Sequence, residues 1–141
     1  QKSCFDLAVK NDVADRVKIG ERFNLGDFAT YKSHNALIFC DIEGAEKELL
    51  DPIKAPALAN LDIIVESHEC LVGGITKDLI ERFSSTHTIE RVDDTGDRSL
   101  EAAPAWFANL AHLDQLLATW EWRSGPTPWL VMDSKSKRGL D

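Results

Sequence analysis

The stretch ALIFCDIEGAEKELLDP, Ala36 to Pro52, constrains the fold more than any other part of the chain. An apolar run stops on Asp41 and Glu43, turns through Gly44 and continues as a helical pattern. A strand covered by helices on both faces has no polar side to show, so it reads as an unbroken apolar run. In such sheets ligands collect in the crevice outside the carboxyl ends of the strands. The segment predicts a buried parallel strand over Ala36–Cys40 that delivers acids to a cleft. A helix over Ala45–Leu50 follows, stopped by Pro52 because proline removes a helix hydrogen bond and clashes with the preceding turn.

The rest of the chain alternates between the same two patterns. Lys2–Lys10 reads as a helix with Phe5, Ala8 and Val9 on one side, followed by a short strand over Arg16–Ile19 that Gly20 closes. Phe23–Tyr31 is weakly patterned and fits a short helix or a loop. LDIIVES, Leu61–Ser67, is a second buried strand. After Gly73 and Gly74 the segment ITKDLIERF aligns Ile75, Leu79, Ile80 and Phe83 on one helix face, with Asp78 placed to pair with Arg82 one turn on. Thr88–Val92 reads as a strand that enters a polar turn containing Asp93, Asp94, Gly96 and Asp97. The longest helical signal follows, in which Trp106, Leu110, Leu113, Leu117 and Trp120 recur at helical spacing as a core or interface stripe. Gly125, Pro126 and Pro128 end it, and Trp129–Met132 reads as a last strand before the charged tail Lys135–Asp141. Strands alternating with helices imply an α/β fold with a largely parallel, Rossmann-like sheet.

At 141 residues the chain suits a single domain, residues 1–141, able to bury a sizeable core. No apolar run approaches the roughly 20 residues of a membrane span, so no membrane association is expected. A net charge of −8 disfavours a general nucleic-acid binder, which needs a basic face to displace counterions from phosphates. The three cysteines, Cys4, Cys40 and Cys70, fit neither a disulfide framework nor a zinc ribbon, which points to a reducing, cytoplasmic setting. Their plain reading is that of small buried apolar side chains. The chain opens at Gln1 on a helical pattern, as expected of the later part of a longer protein.

The candidate chemistry sits at the ends of the two apolar strands. Period-two alternation puts Glu66 and His68 on one side of a strand continued past Val65, with Glu69 on the other. Beside Asp41, these acids and the imidazole could bind Mg²⁺ or Mn²⁺, with Asp41, Glu43 and Glu66 as oxygen ligands, or act as an acid/base set. In the competing structural reading Asp41 caps the following helix, Glu43 starts it, His68 bonds a neighbouring loop and Glu69 is solvated. His34, His87 and His112 carry no ligand spacing and read as structural or solvated. Trp122, Arg123 and Trp129, in the aromatic segment Trp120–Trp129, could wall an acceptor pocket or an oligomer interface.

The strand ending in C-D-I-E-G-A-E, Cys40–Glu46, followed by D-I-I-V-E-S-H-E, Asp62–Glu69, resembles the second half of class I S-adenosylmethionine-dependent methyltransferases, particularly those of the FkbM type. NDVADRVKIGE, Asn11–Glu21, is similar to the helix-to-third-strand passage of that fold. The resemblance covers most of Lys2–Val92 and lacks the first strand with its glycine-rich loop and the second strand with its ribose-binding acid. It implies a carboxyl-terminal part of a methyltransferase domain that transfers a methyl group to a hydroxyl of a small molecule or sugar. Asp41 would then lie near the methyl donor, positioning the acceptor or taking its proton, with Glu66 and His68 beside it as further catalytic candidates. Gly20 and Glu21 would pass the cofactor's adenine. A second reading takes Asp41-Ile42-Glu43 as the metal site of a nucleotide-sugar transferase. A third is a noncatalytic domain that forms a homo-oligomer through its tryptophan-rich helix.

Overall fold

The computed structural model describes residues 2–31, 35–95, 103–120 and 124–136. His34, Gly96, Asp97, Trp122, Arg123 and the tail beyond Ser136 lie outside the described residues. The chain builds one mixed sheet of four strands, β1 (Leu37–Cys40), β2 (Asp62–Glu66), β3 (His87–Val92) and β4 (Trp129–Ser134), in the order β1-β2-β4-β3. Only β1 and β2 pair in parallel, while β4 runs antiparallel to both β2 and β3. The expected largely parallel sheet is therefore corrected to a mainly antiparallel one. The first three strands still point the same way, and the reversed β4 is inserted between β2 and β3. Their carboxyl ends consequently share one rim, where Trp129 at the start of β4 stands opposite both Glu66 and Val92.

Strand β1 also departs from expectation. It is an outer strand of the sheet, with Leu37 57% and Phe39 67% exposed, so its apolar run does not record burial on both faces. Phe39 packs against the Trp129 ring at 5.2 Å. An apolar hollow of about 330 Å³ runs along β1, walled by Phe23, Tyr31, Phe39 and Ile42. The core lies between the central strands and the helices. Ile63 and Val65 of β2 and Leu130 and Met132 of β4 meet Leu79 and Phe83 there, all fully enclosed.

Helices α1 (Lys2–Lys10), α2 (Glu46–Leu49) and α3 (Ile75–Phe83) fall where the periodicity places them. Ala8 is the buried residue of α1, and Phe5 and Val9, expected on its apolar side, are about half exposed. Arg16–Ile19 forms no strand, and Phe23–Tyr31 resolves into a 3-10 turn over Leu25–Thr30, opened by reciprocal bonds between Asn24 and Asp27. The expected Asp78–Arg82 pair gives way to bonds between helices. Asp78 pairs with Lys47 at 2.6 Å, and Arg82 Nη1 donates to the carbonyls of Lys47 and Leu50, so both residues tie α3 to α2.

The long stripe from Trp106 to Trp120 is broken into α4 (Ala105–Ala108) and α5 (His112–Thr119). Extended backbone at Ala111 interrupts the ladder, and the Gln115 amide reaches back across the break to donate to the carbonyls of Phe107 and Leu110. Trp106, Leu113 and Leu116 are exposed, so the stripe is not core. Among the described residues no helix is long and apolar enough to cross a membrane.

Candidate functional site

The site begins with a backbone turn that an ordinary side chain disfavours. After β1 the chain passes through Glu43 at φ +53° and Gly44 at φ +98° before entering α2. A left-handed conformation at Glu43 costs about 1–2 kcal/mol relative to the right-handed form. Gly44 removes the penalty at its own position, where a Cβ would find room in ordinary contact with Val72 at 3.4 Å. The turn is tied by Glu46, whose Oε1 accepts from the Ile42 and Gly44 amides at 3.3 and 3.2 Å.

Glu46 is fully buried, and the same Oε1 lies 2.7 Å from His68 Nδ1. A carboxylate can only accept, so Nδ1 carries the proton and donates to Glu46. Sequence reading counted Glu46 as part of α2 and missed this role. Its available signal was an acid one turn beyond the Asp41–Glu43 pair, at a position where the short helix must face the sheet.

His68 is held as firmly through its backbone. The Ser67 amide donates to the Pro128 carbonyl at 2.8 Å, prolonging the β2–β4 pairing past Glu66. The His68 carbonyl then accepts from both Leu71 and Val72 at 2.9 Å. Strand β2 ends at Glu66, so strand alternation does not reach Glu69, and Glu69 is not simply solvated. Its carboxylate accepts from the Gly74 and Thr76 amides at the start of α3, and these bonds hold its pKa below the ordinary glutamate value.

With Nδ1 occupied, the ring directs Nε2 at a ring of acids. Glu43 Oε2 lies 3.2 Å away, Asp41 Oδ1 3.6 Å and Glu66 Oε2 3.8 Å. Despite this proximity Nε2 is buried without a hydrogen-bond partner. Ligand atoms of Asp41, Glu66 and His68 all lie within 4.8 Å of one another, so the structure brings the three catalytic candidates together. Asp41 is 41% exposed and Glu43 71% at the mouth, whereas Glu66 is nearly enclosed. Cys40 sits below them, its thiol pushed up to about 12, first by burial and then by the charges of Glu46 and Asp41. All three cysteines are free; Cys40 is buried and Cys4 exposed.

Glu66 also lines a cleft of about 340 Å³ along the same rim, with Asp93, Thr119, Trp120 and Trp129. That volume suits a small molecule. Gly20 and Glu21 do not join the cluster. Both lie in an exposed segment outside helix and strand, and a Cβ on Gly20 would meet nothing within 4 Å. No family model matches this chain, and no curated protein or solved structure matches it.

Proposed function

We propose that this chain carries the acceptor side of a transferase site, and that the group transferred is the methyl of S-adenosylmethionine to a hydroxyl of a small molecule or sugar. The observation that carries the reading is the convergence of Asp41, Glu66 and His68 on one rim, beside a cleft of small-molecule size. The two motifs of the methyltransferase resemblance, Cys40–Glu46 and Asp62–Glu69, supply all three residues. Asp41, open to solvent, is placed to orient an incoming hydroxyl and accept its proton. Glu66, reaching both the cluster and the cleft, holds the acceptor from within. The His68–Glu46 pair keeps the imidazole fixed while the substrate changes.

S-adenosylmethionine would supply an electrophilic methyl group. The resemblance lacks the glycine-rich loop and the ribose-binding acid, so the chain alone is expected to bind it weakly. The convergence of Asp41 and Glu43 on one atom, His68 Nε2, favours a nucleotide-sugar transferase as the second reading. Titration of the ¹⁵N-labelled chain with S-adenosylhomocysteine, followed by amide shifts, separates the two. Shifts confined to Asp41–Glu46 and Glu66–Glu69 in fast exchange are expected. The same residues shifting with a nucleotide sugar and Mn²⁺, and not with S-adenosylhomocysteine, would refute the methyltransferase reading and favour the second.

A further inference from the structure

The geometry points to a mixed nitrogen–oxygen metal centre of the Mn²⁺ type, with His68 Nε2, Asp41 and Glu66 as its protein ligands and Glu46 as the residue that orients the imidazole. The inference goes beyond the proposed function, because it holds whichever group is transferred. Its starting point is the buried, unpartnered Nε2. A buried polar atom left without a hydrogen bond is destabilising, so it calls for a partner. Glu46 fixes the tautomer by accepting the hydrogen bond that Nδ1–H donates, which leaves the Nε2 lone pair directed at the carboxylates of Asp41 and Glu66. A carboxylate behind a ligating histidine is the usual device for aiming the ring and raising its basicity toward a metal.

The spacing agrees. An ion about 2.1 Å from each ligand holds neighbouring ligand atoms roughly 3–3.5 Å apart. The Asp41 and Glu66 oxygens lie 3.6 and 3.8 Å from Nε2, so small side-chain movements close the shell. Glu43, closer to Nε2 but more exposed, stands at the mouth as a fourth carboxylate. One imidazole with two carboxylates is poorer in nitrogen and sulfur than zinc sites favour, while an imidazole ligand disfavours Mg²⁺, which prefers oxygen. Mn²⁺ accepts both donors.

The test is titration of the 141-residue chain with Mn²⁺, read by electron paramagnetic resonance and by pulsed measurement of ¹⁴N coupling. One bound ion per chain with imidazole nitrogen coupling is expected, undisturbed by an equal concentration of Mg²⁺. His68→Gln should abolish the coupling and weaken binding at least about 100-fold. Glu46→Gln should weaken it about 10- to 100-fold and alter the coupling, with the far-ultraviolet circular dichroism unchanged. Asp41→Asn, on the open side, provides a variant whose folding is not at stake, and it should lose at least about tenfold. Absence of binding at millimolar Mn²⁺, binding without nitrogen coupling, ready displacement by Mg²⁺, or unchanged affinity in Asp41→Asn would each overturn the centre. None of these readouts depends on S-adenosylhomocysteine, so the metal site and the methyltransferase reading fail separately.

Discussion

His68 and His87 are both enclosed by the fold, one at the carboxyl rim of β2 and the other at the opposite end of the sheet, where β3 begins. His87 is satisfied on both sides by neutral groups. Its Nε2 donates to the Leu61 carbonyl at 2.8 Å, its Nδ1 lies 2.9 Å from the Thr86 hydroxyl, and the ring meets Phe83 edge-on at 5.1 Å. His68 has one nitrogen bound to a buried carboxylate and the other facing three more without a bond. Burial alone does not separate a histidine whose hydrogen bonds are closed from one with a ring nitrogen left over. The partner set does, since the first closes its own hydrogen bonds and the second leaves one valence pointed outward.

The contrast breaks most sharply in stability. Replacing His68 by Leu removes the ring hydrogen bond to the fully buried Glu46 carboxylate, and losing a partner of a buried charged group costs about 3 kcal/mol or more. His87→Leu leaves the Leu61 carbonyl unsatisfied, a cost of about 1–3 kcal/mol. Urea unfolding in metal-free buffer measures both, and a larger loss at His87 would contradict the ranking.

A pH series sharpens the comparison further. Burial, the largest cause, lowers the His87 pKa below its usual value of 6.5. The unfolded chain therefore takes up this proton more readily than the folded one. The contribution of His87 to stability is full above about pH 6.5 and declines as the pH falls toward its lowered folded value. The difference in urea midpoint between the wild-type chain and His87→Gln should narrow between pH 7.5 and 5.5. A gap that widens on acidification would reverse the assignment.

The smallest effect is expected at the turn. Glu43→Gly relieves a left-handed glutamate, a gain offset by the greater freedom of glycine in the unfolded chain, so stability should rise by about 1 kcal/mol or less. The midpoint of thermal unfolding reports it, and a clear loss of stability would mean that the Glu43 carboxylate holds the turn together.

Features that depend on neighbouring residues in the chain were legible. The four main strands, helices α1 and α3 and the position of Asp41, Glu66 and His68 at strand ends follow from periodicity, glycine and proline. Features set by spatial partners were not. The run Ala36–Cys40 is as apolar as a central strand because Phe39 packs on Trp129, although it lies at the edge of the sheet. Nothing in Trp129–Met132 encodes direction, since an apolar strand has the same pattern whichever way it enters. Asp78 and Arg82 have the right spacing to pair, but the carbonyl ends and the lysine of α2 are better partners. The stripe from Trp106 to Trp120 keeps helical spacing across a break that Gln115 stabilises from outside the local window. Glu46 escaped notice because its importance lies in an atom contributed from 22 residues away.

The reversal of β4 has a consequence for how such a site can change. Because β3 ends and β4 begins on the same rim, the chain leaves the sheet at Val92 and re-enters it at Trp129 beside the acid cluster. The described helices between them, α4 and α5, contribute no fully buried residue to the core, while Thr119 and Trp120 line the cleft next to Glu66. The framework that fixes His68 and the helices that flank the cleft are thus separate pieces of chain. If the proposed function holds, exchanging those helices would change what the cleft admits without rebuilding the sheet.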